Sequence, residues 1–494
     1  MSKKSKALEY YYEKFKAALL VFLIVLCIVQ IGILWSSQSG SFPFLSSFFP
    51  DSKATSQVSL EEVKENYMLP YKIVLSKGYD EEHYIVPNGS REYKSLWDNA
   101  GEYITKALET KPTQTQLIDE EKWGVILANK SYYFEFKTQI SIDIVKWVLN
   151  IKKPVDTLPG LSKIVICPDD PNNSYYDVIY IRDAVNIYTY ILTDHGQNSL
   201  DQEVFDSVYN SLHGKPNFSN YKIAIETGIN SALPKDMIAP FTSNSTEAYA
   251  TVDYTPLGSQ DGHTSSLAEY NAVQMELFGE VRSDYMPDED VYGSIVFKNS
   301  DSVYRLYNNS VAEYKFIGTQ ISTEKPKVLE AYQRAVSFIM DIKDRSKYMG
   351  AINLYLSSIS ESSNSYTFKF DYSIAQGGEY GELPVLLKDF TLPGSDQPFD
   401  SSITIETTSK RVIQCRWLAL KLQAEKSLIE YKWNFPEFVD KAYNSIDSLK
   451  NSNLPIQNYG IYYVLVQGSK DYSINPSFVL FNSEGNYSIP LNGQ

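Results

Sequence analysis

The chain has 494 residues, of which 43% are hydrophobic and 21% are charged, a composition that excludes a disordered protein. The formal net charge is −15, which argues against nucleic acid as a partner because its phosphates would repel so acidic a surface. The first 16 residues differ from the rest, since five lysines outnumber two glutamates there.

An uncharged apolar segment, Ala17–Trp35, follows this basic tail. At about 1.5 Å per residue, a helix of this length spans about 28 Å, the thickness of a hydrocarbon core. No charged residue follows the segment until Asp51, so the positive-inside rule predicts a cytosolic N-terminus. A cleaved signal peptide is the alternative, but its apolar core would be shorter, at about 7–15 residues. We expect a single-pass anchor in the cell membrane, with the bulk of the chain extracytoplasmic.

Gln30 is the strongly polar side chain of this segment. It either donates a hydrogen bond to a neighbouring helix, worth about 0.6–2 kcal/mol in a membrane, or lies near the outer interface and meets water. The predicted partner-binding face of the helix consists of Leu20, Leu23, Cys27, Gln30 and Leu34.

Beyond a linker that carries a short helix around Leu60–Glu65, the first block of the outer part mixes helices and strands. Alternating apolar residues predict strands, and apolar residues at helical spacing predict helices. The predicted elements are a strand pair at Tyr71–Ser76 and His83–Pro87, a helix at Leu96–Leu108, strands at Trp123–Leu127 and Tyr132–Phe136, a helix at Ile142–Leu149, and strands at Lys163–Cys167 and Val178–Arg182.

The second block is predicted to open with a helix at Glu203–His213 and a strand at Tyr221–Glu226. A long loop, Ser231–Ser266, leads to a possible helix at Leu267–Phe278 and then to strands at Ser294–Phe297, Val303–Leu306 and Val311–Phe316.

The third block begins with a helix at Lys327–Lys343. Its later elements are strands at Leu354–Ser358, Ser365–Ile374, Ser402–Thr407 and Val412–Leu422, a helix at Pro436–Leu449, and strands at Tyr459–Gln467 and Phe478–Phe481. Helices and strands do not alternate regularly, which favours an α+β fold: a transmembrane helix followed by several outer domains of mostly antiparallel sheets with packed helices.

These patterns divide the chain into six parts. They are a cytosolic tail (1–16), the transmembrane helix (17–35), a juxtamembrane linker (36–66) and three extracytoplasmic domains (67–197, 198–325 and 326–494).

Sequence signatures of catalysis are absent: the chain has no HExxH, GxSxG, P-loop or CxxC motif. The four histidines, His83, His195, His213 and His263, are isolated from one another in sequence. Asp169-Asp170 with Asn172 and Asn173 has the oxygen ligands of a calcium loop, but a solvated turn fits the segment better. We therefore expect no enzymatic activity, no metal and no cofactor.

Two further pairs leave alternatives open. Glu379 and Glu382 flank a glycine-rich turn and would suit a glycosidase, although a loop between strands is the better interpretation. Cys167 and Cys415 could form a disulfide, but two separate buried thiols are more common in such a chain.

The chain resembles the YycH family of membrane-anchored proteins. The resemblance rests on the basic tail with one span ending Ile33-Leu34-Trp35, the strand pair around Tyr71–Leu75 and His83–Val86, the segment Tyr292–Phe316, and the tail with Tyr459–Tyr463 and Asn475–Leu480.

This resemblance implies a regulator of a two-component signalling system that controls cell-wall homeostasis in Gram-positive bacteria. The implied partners are a sensor histidine kinase of the WalK/YycG type and a second single-span protein similar to YycI, whose fold the third outer domain would share. The transmembrane helix would carry most of the contact with the kinase and would restrain it. A wall-binding or ligand-binding module without regulation is the alternative, followed by an extracellular hydrolase.

Overall fold

The computed structural model describes most of the chain from Ser59 to Leu491. The described residues are 59–154, 158–170, 176–192, 200, 202–213, 221–227, 233–240, 246–256, 271–272, 274–275, 288–298, 301–319, 324–345, 353–376, 381–394, 398–432, 435–447, 449, 455–468 and 472–491. Within these ranges no helix is long and apolar enough to cross a membrane. The predicted transmembrane helix (17–35) lies outside them.

The described ranges contain seven α-helices. They are α1 (Leu60–Asn66), α2 (Arg91–Leu108), α3 (Glu120–Ala128), α4 (Ile142–Val148), α5 (Gln202–Leu212), α6 (Val328–Arg345) and α7 (Phe435–Ser445).

The strands are more numerous and fall into four sheets. They are β1 (Lys72–Ser76), β2 (His83–Val86), β3 (Gln114–Leu117), β4 (Ser131–Ser141), β5 (Gly160–Asp170), β6 (Tyr176–Arg182), β7 (Asn186–Leu192), β8 (Lys222–Ile223), β9 (Ile238–Ala239), β10 (Thr246–Pro256), β11 (Asp288–Glu289), β12 (Ile295–Lys298), β13 (Ser302–Leu306), β14 (Val311–Phe316), β15 (Asn353–Glu361), β16 (Tyr366–Ala375), β17 (Glu382–Lys388), β18 (Ile403–Thr407), β19 (Val412–Leu418), β20 (Leu420–Lys432), β21 (Asn458–Gln467), β22 (Tyr472–Asn482) and β23 (Gly485–Pro490).

The first sheet has seven antiparallel strands in the order β2-β1-β4-β5-β6-β7-β3. Successive side chains of a strand point to opposite faces, and here both faces are buried. Ile73 and Phe134 pack into the main core with α2, whereas Val74 and Tyr133 pack against α3, Ile223 and Ile238 on the other face.

The second sheet has twelve strands and branches at β16. The first half of β16 pairs with β18, and its last residues pair with β17, while β15 runs along the opposite edge. β17 then pairs in parallel with β21, which continues into β22 and β23. The other described pairings are antiparallel. Strands β10 and β20 form a separate two-stranded ribbon, and β8 pairs with β9.

One apolar core contains residues of both large sheets. Tyr67, just after α1, meets Phe370 of β16 with the ring centroids 6.3 Å apart, and Tyr332 of α6 lies between Trp147 and Phe368. Val58–Gln494 accordingly form one compact unit. The predicted boundaries between the three outer domains stay predictions.

The α+β class with mostly antiparallel sheets is confirmed, and so are most predicted helices, including the short helix at α1. The predicted strand at Trp123–Leu127 is wrong, because these residues belong to α3. Asp119 caps this helix by accepting hydrogen bonds from the backbone N–H groups of Glu121 and Lys122. Its apolar residues are buried at helical spacing, and the capping signal outweighs the strand-like composition.

Two other predicted strands are only partly correct. Tyr221–Glu226 forms two residues of strand before a 3₁₀ turn at Ala224–Thr227. Val412–Leu422 is two strands, because the backbone N–H of Ala419 bonds to Ser310 and β20 leaves to pair with β10. The predicted helix at Leu267–Phe278 lies mostly outside the described residues.

A row of charged side chains crosses the first sheet on the face covered by residues 233–240. Lys72, Glu135, Lys163 and Arg182 are direct cross-strand partners on β1, β4, β5 and β6. Asp236 lies over the row, forming ion pairs with Lys163 and, at 3.9 Å, with Arg182. Opposite charges therefore neutralise one another across four buried strands.

Asp236→Ala should destabilise the protein by about 3 kcal/mol, because it removes one partner of a buried ion pair. Burial alone would raise the pKa of Asp236, but Lys163 and Arg182 outweigh burial and hold the pKa below its usual value. Its stabilising contribution should therefore be present at neutral pH and be lost as the pH falls through the pKa of the folded state. Urea unfolding of the wild-type protein and of Asp236→Ala, at pH 7 and in acid, measures this difference in stability.

Asp400→Ala is the matched control, because Asp400 pairs with Lys369 while its side chain is 58% exposed. An exposed pair contributes at most about 1 kcal/mol. Equal losses for the two variants at pH 7 would contradict the role given to Asp236.

Candidate functional site

Two clefts lie at the seam between the two large sheets. Their volumes are about 190 and 140 Å³, and both are lined by Tyr71, Asn88, Glu382 and Pro384. The seam is the contact between the turn that follows β2 (87–90) and the start of β17. We treat the clefts together as the candidate functional site.

Two glycines let the backbones approach at the seam. Gly89 and Gly381 have φ of +73° and +72°, in the region that favours glycine. A Cβ on Gly381 would lie 2.7 Å from Cβ of Pro87, and a Cβ on Gly89 would overlap the carboxylate of Glu382. The contact therefore has no room for a larger residue at either position.

Glu382 is a half-buried ionisable group at this contact. Its Oε1 accepts a hydrogen bond from Nδ2 of Asn353 at 2.6 Å, and its Oε2 accepts one from Oγ of Ser373 at 2.9 Å. Both donors are neutral, and among the described residues no cation forms an ion pair with the carboxylate. Burial raises the pKa of Glu382, and the two hydrogen bonds only partly offset that rise.

The lysines of the clefts are already engaged. Lys94, in the larger cleft, lies 2.7 Å from the carboxylate of Glu65, and Lys72, in the smaller cleft, lies 3.6 Å from Glu135. Neither lysine supplies the positive charge that Glu382 lacks.

A cluster of tyrosines around Lys137 also ties the two sheets together. Nζ of Lys137 lies 5.3–5.5 Å from the ring centroids of Tyr71, Tyr355 and Tyr462. The hydroxyls of Tyr71 and Tyr462 are hydrogen-bonded at 2.5 Å, and Lys137 lies 3.6 Å from Asp371. Cation–π and ionic contacts at this buried site hold β4 against β15, β16 and β21.

His83 belongs to a buried polar chain. Its Nδ1 is 2.8 Å from Oγ of Ser76, and its Nε2 is 2.8 Å from Oε2 of Glu226. These residue types also form hydrolytic triads, but the side chains of His83 and Glu226 are 0% exposed, and none of the three lines either cleft. These hydrogen bonds instead hold residues 221–227 against the first sheet, a contact that the sequence did not predict.

The other described candidate residues do not lie together at one site. His213 stacks on Tyr209 at the end of α5, and Asp170 is buried at the end of β5. Cys167 and Cys415 are both buried free thiols, so the preferred alternative to a disulfide is confirmed. In the described ranges, no three His, Cys, Asp or Glu side chains are grouped closely enough to hold a metal ion.

Several predicted residues lie outside the described part of the chain. They are His195, His263, Asn172, Asn173, Glu379 and the transmembrane face of Leu20, Leu23, Cys27, Gln30 and Leu34. Of the predicted carboxylate pair, the structure describes Glu382 alone, and it places that residue in the seam.

Gly89→Ala should destabilise the protein more than Gly293→Ala does. Gly293 has nearly the same φ, +74°, but its Cβ would find its nearest neighbour at 3.8 Å. Left-handed backbone costs both variants about 1–2 kcal/mol, and overpacking against Glu382 adds about 1–3 kcal/mol at Gly89 alone. Chemical unfolding compares the two variants, and equal losses would show that the seam is not tightly packed there.

Glu382→Gln should change how stability depends on pH. The raised pKa means that the folded state holds this proton more tightly than the unfolded state, so wild-type stability falls as pH rises above the unfolded pKa. The neutral amide removes that loss and should make the variant the more stable protein near pH 7, measured by urea unfolding between pH 4 and 8 in phosphate buffer.

Other acidic and basic groups face the larger cleft, namely Glu65, Asp98 and Lys94, and buried Asp371 has a pKa that burial raises. All of them are kept in both proteins, so the difference between the two curves reports Glu382. Parallel curves of stability against pH for the wild-type protein and Glu382→Gln would contradict a raised pKa of Glu382.

Comparison with known proteins gives a structural match and no sequence match. No protein-family model matches the chain, and no curated protein is similar to it in sequence. The crystal structure of YycH from Bacillus subtilis is similar over 86% of this chain and 96% of that chain, with a TM-score of 0.53 and 11% sequence identity. An uncharacterised protein from Eubacterium rectale matches 53% of this chain and 88% of that chain with 11% identity, but its TM-score of 0.31 supports no argument.

The similarity to YycH covers 86% of the chain. The resemblance that the sequence indicated is thereby confirmed at the level of the fold.

Proposed function

We propose that this protein is a membrane-anchored, non-enzymatic regulator of a sensor histidine kinase that responds to the cell wall. The similarity of fold to YycH, over 86% of the chain, is the observation that carries the proposal. The proposed partners are a kinase of the WalK/YycG type and a single-span protein similar to YycI.

The sequence of residues 17–35 supports the anchor. The segment is apolar, free of charge and long enough to span a bilayer, and lysines precede it. In this arrangement the outer domains lie outside the cytosol, and the helix lies beside the spans of the kinase.

Regulation requires that the helix contacts two states of the kinase differently, because equal contacts would shift no equilibrium. One hydrogen bond from Gln30, made in only one of those states, would contribute about 0.6–2 kcal/mol. That energy changes the ratio of the two states by about 3- to 30-fold. The predicted face with Leu20, Leu23, Cys27 and Leu34 would set which side of the helix meets the kinase.

The surroundings of the described histidines support a role without catalysis. His83 is fully buried in contacts that hold the fold together, and His213 stacks on a tyrosine at the end of α5. A hydrolase would need a titratable group that can reach a substrate.

Replacing residues 17–35 of the full chain by an unrelated apolar helix should abolish regulation of the kinase while the outer domains still fold. Kinase autophosphorylation and a membrane two-hybrid assay with the kinase of the same cell measure the effect. Gln30→Leu should reduce the regulatory effect 3- to 30-fold, and Gln30→Asn is the control that keeps a polar side chain.

If the replacement is harmless, the helix is a tether and the regulatory proposal fails. Binding of the full chain to isolated cell wall would then favour a wall-binding module. Loss of kinase association with a normally folded outer region would support the proposal.

A further inference from the structure

Glu382 is a half-buried carboxylate at the wall of an open cleft, and no cation of the described residues forms an ion pair with it. A carboxylate offers about four acceptor positions, and hydrogen bonds from Asn353 and Ser373 occupy two of them. Since even partial burial of an unpaired charge is costly, this position favours the binding of a proton or of a cation. The cleft provides the space for a cation to enter from solvent.

The larger cleft has the composition of a small amphipathic site. Glu382, Asn66 and Asn88 provide polar groups, while Leu69 and Pro70 provide apolar wall. Cavities of about 150 Å³ are large enough to hold benzene, so a volume of about 190 Å³ admits a ligand of a few non-hydrogen atoms. A polymer or a protein loop would not fit inside, although a terminal group of one would.

A primary alkylammonium group is the cation that best fits these groups. It donates three hydrogen bonds, which can satisfy the unused acceptor positions of Glu382 and a neighbouring amide oxygen. Its alkyl substituent would lie on Leu69 and Pro70. A divalent metal ion is a poorer fit, because among the described residues no three His, Cys, Asp or Glu side chains are grouped closely enough to hold one.

We propose that the larger cleft binds the primary ammonium group of a small ligand, with the ammonium on the carboxylate of Glu382 and the alkyl part against Leu69 and Pro70. The proposal goes beyond regulation through the transmembrane helix, because it assigns a ligand site to the outer region. Binding would also strengthen the seam, since it supplies the missing charge where the two sheets meet.

Ethanolamine is a suitable probe, and ethylene glycol is its uncharged counterpart of similar size. Saturation-transfer NMR on the full chain in detergent micelles at pH 7.5 measures binding of each. Ethanolamine should bind the wild-type protein with millimolar affinity, whereas ethylene glycol should bind at least tenfold more weakly, because it lacks the charge.

Glu382→Gln should weaken ethanolamine binding at least tenfold, and Glu382→Asp, which keeps the charge one methylene farther from the cleft, should weaken it less. Glu361→Gln is the control, because Glu361 is exposed and pairs with Lys325 outside the cleft. A melting curve for each variant checks that it is folded. If Glu382→Gln fails to fold, the comparison of Glu382→Asp with the control decides the proposal.

Absence of ethanolamine binding to the wild-type protein, equal binding to Glu382→Gln, or equal binding of ethylene glycol would each overturn the proposal. None of these outcomes bears on the transmembrane helix. A failure here is therefore distinguishable from a failure of the proposed regulatory function, which the helix replacement tests.

Discussion

The contact between the turn at 87–90 and Glu382 is the constraint on which the arrangement of the two large sheets depends. The turn belongs to the first sheet, and Glu382 begins a strand of the second. A side chain at Gly89 would displace the side chain of Glu382, whereas one at Gly381 would meet the backbone of the turn and force the two sheets apart. Their separation would open apolar core that both sheets share. At about 25 cal/mol per Å² of apolar surface, even a small opening would be costly.

Around this contact the chain uses charge in two different ways. Across the first sheet, Glu135 forms ion pairs with Lys72 and Lys163. Asp236 forms ion pairs with Lys163 and Arg182, so these charges compensate one another. At the seam, the described residues provide Glu382 with neutral donors alone. The first arrangement is typical of a structural network. The second, a half-buried carboxylate with a raised pKa in a cleft, is typical of functional sites, where perturbed pKa values are concentrated.

The sequence predicted much of the architecture because local patterns determine helices and strand pairs. The long helices α2 and α6 follow from their apolar periodicity, and the pair β1–β2 from two short apolar segments that flank a turn. Trp123–Leu127 was misread because its composition suits a strand, whereas the cap at Asp119 makes a helix. Such errors arise where a single capping residue decides between two structures.

The seam could not be predicted, because its partners are almost 300 residues apart in the chain. Asn88-Gly89 indicates a turn and Gly381 a bend, but neither indicates what packs on it. The sequence drew attention to Glu382 beside Glu379 at a turn but could not indicate its contact with residues 87–90, since closeness in sequence says nothing about contacts between sheets. The hydrogen bonds from Ser76 of β1 to His83 and from His83 to Glu226 likewise connect β1 to a residue far from it in sequence.

In the proposed regulator, a transmembrane helix would contact the partner, and the two sheets of the outer body meet at a carboxylate that no described cation compensates. The pKa of Glu382 tests that claim most directly. It can be measured from the carboxylate band in the infrared difference spectrum between the wild-type protein and Glu382→Gln across pH. The account predicts a pKa above the usual glutamate value that falls when ethanolamine is added. A pKa at or below the usual value without ligand would show that the carboxylate is already compensated and would contradict the account.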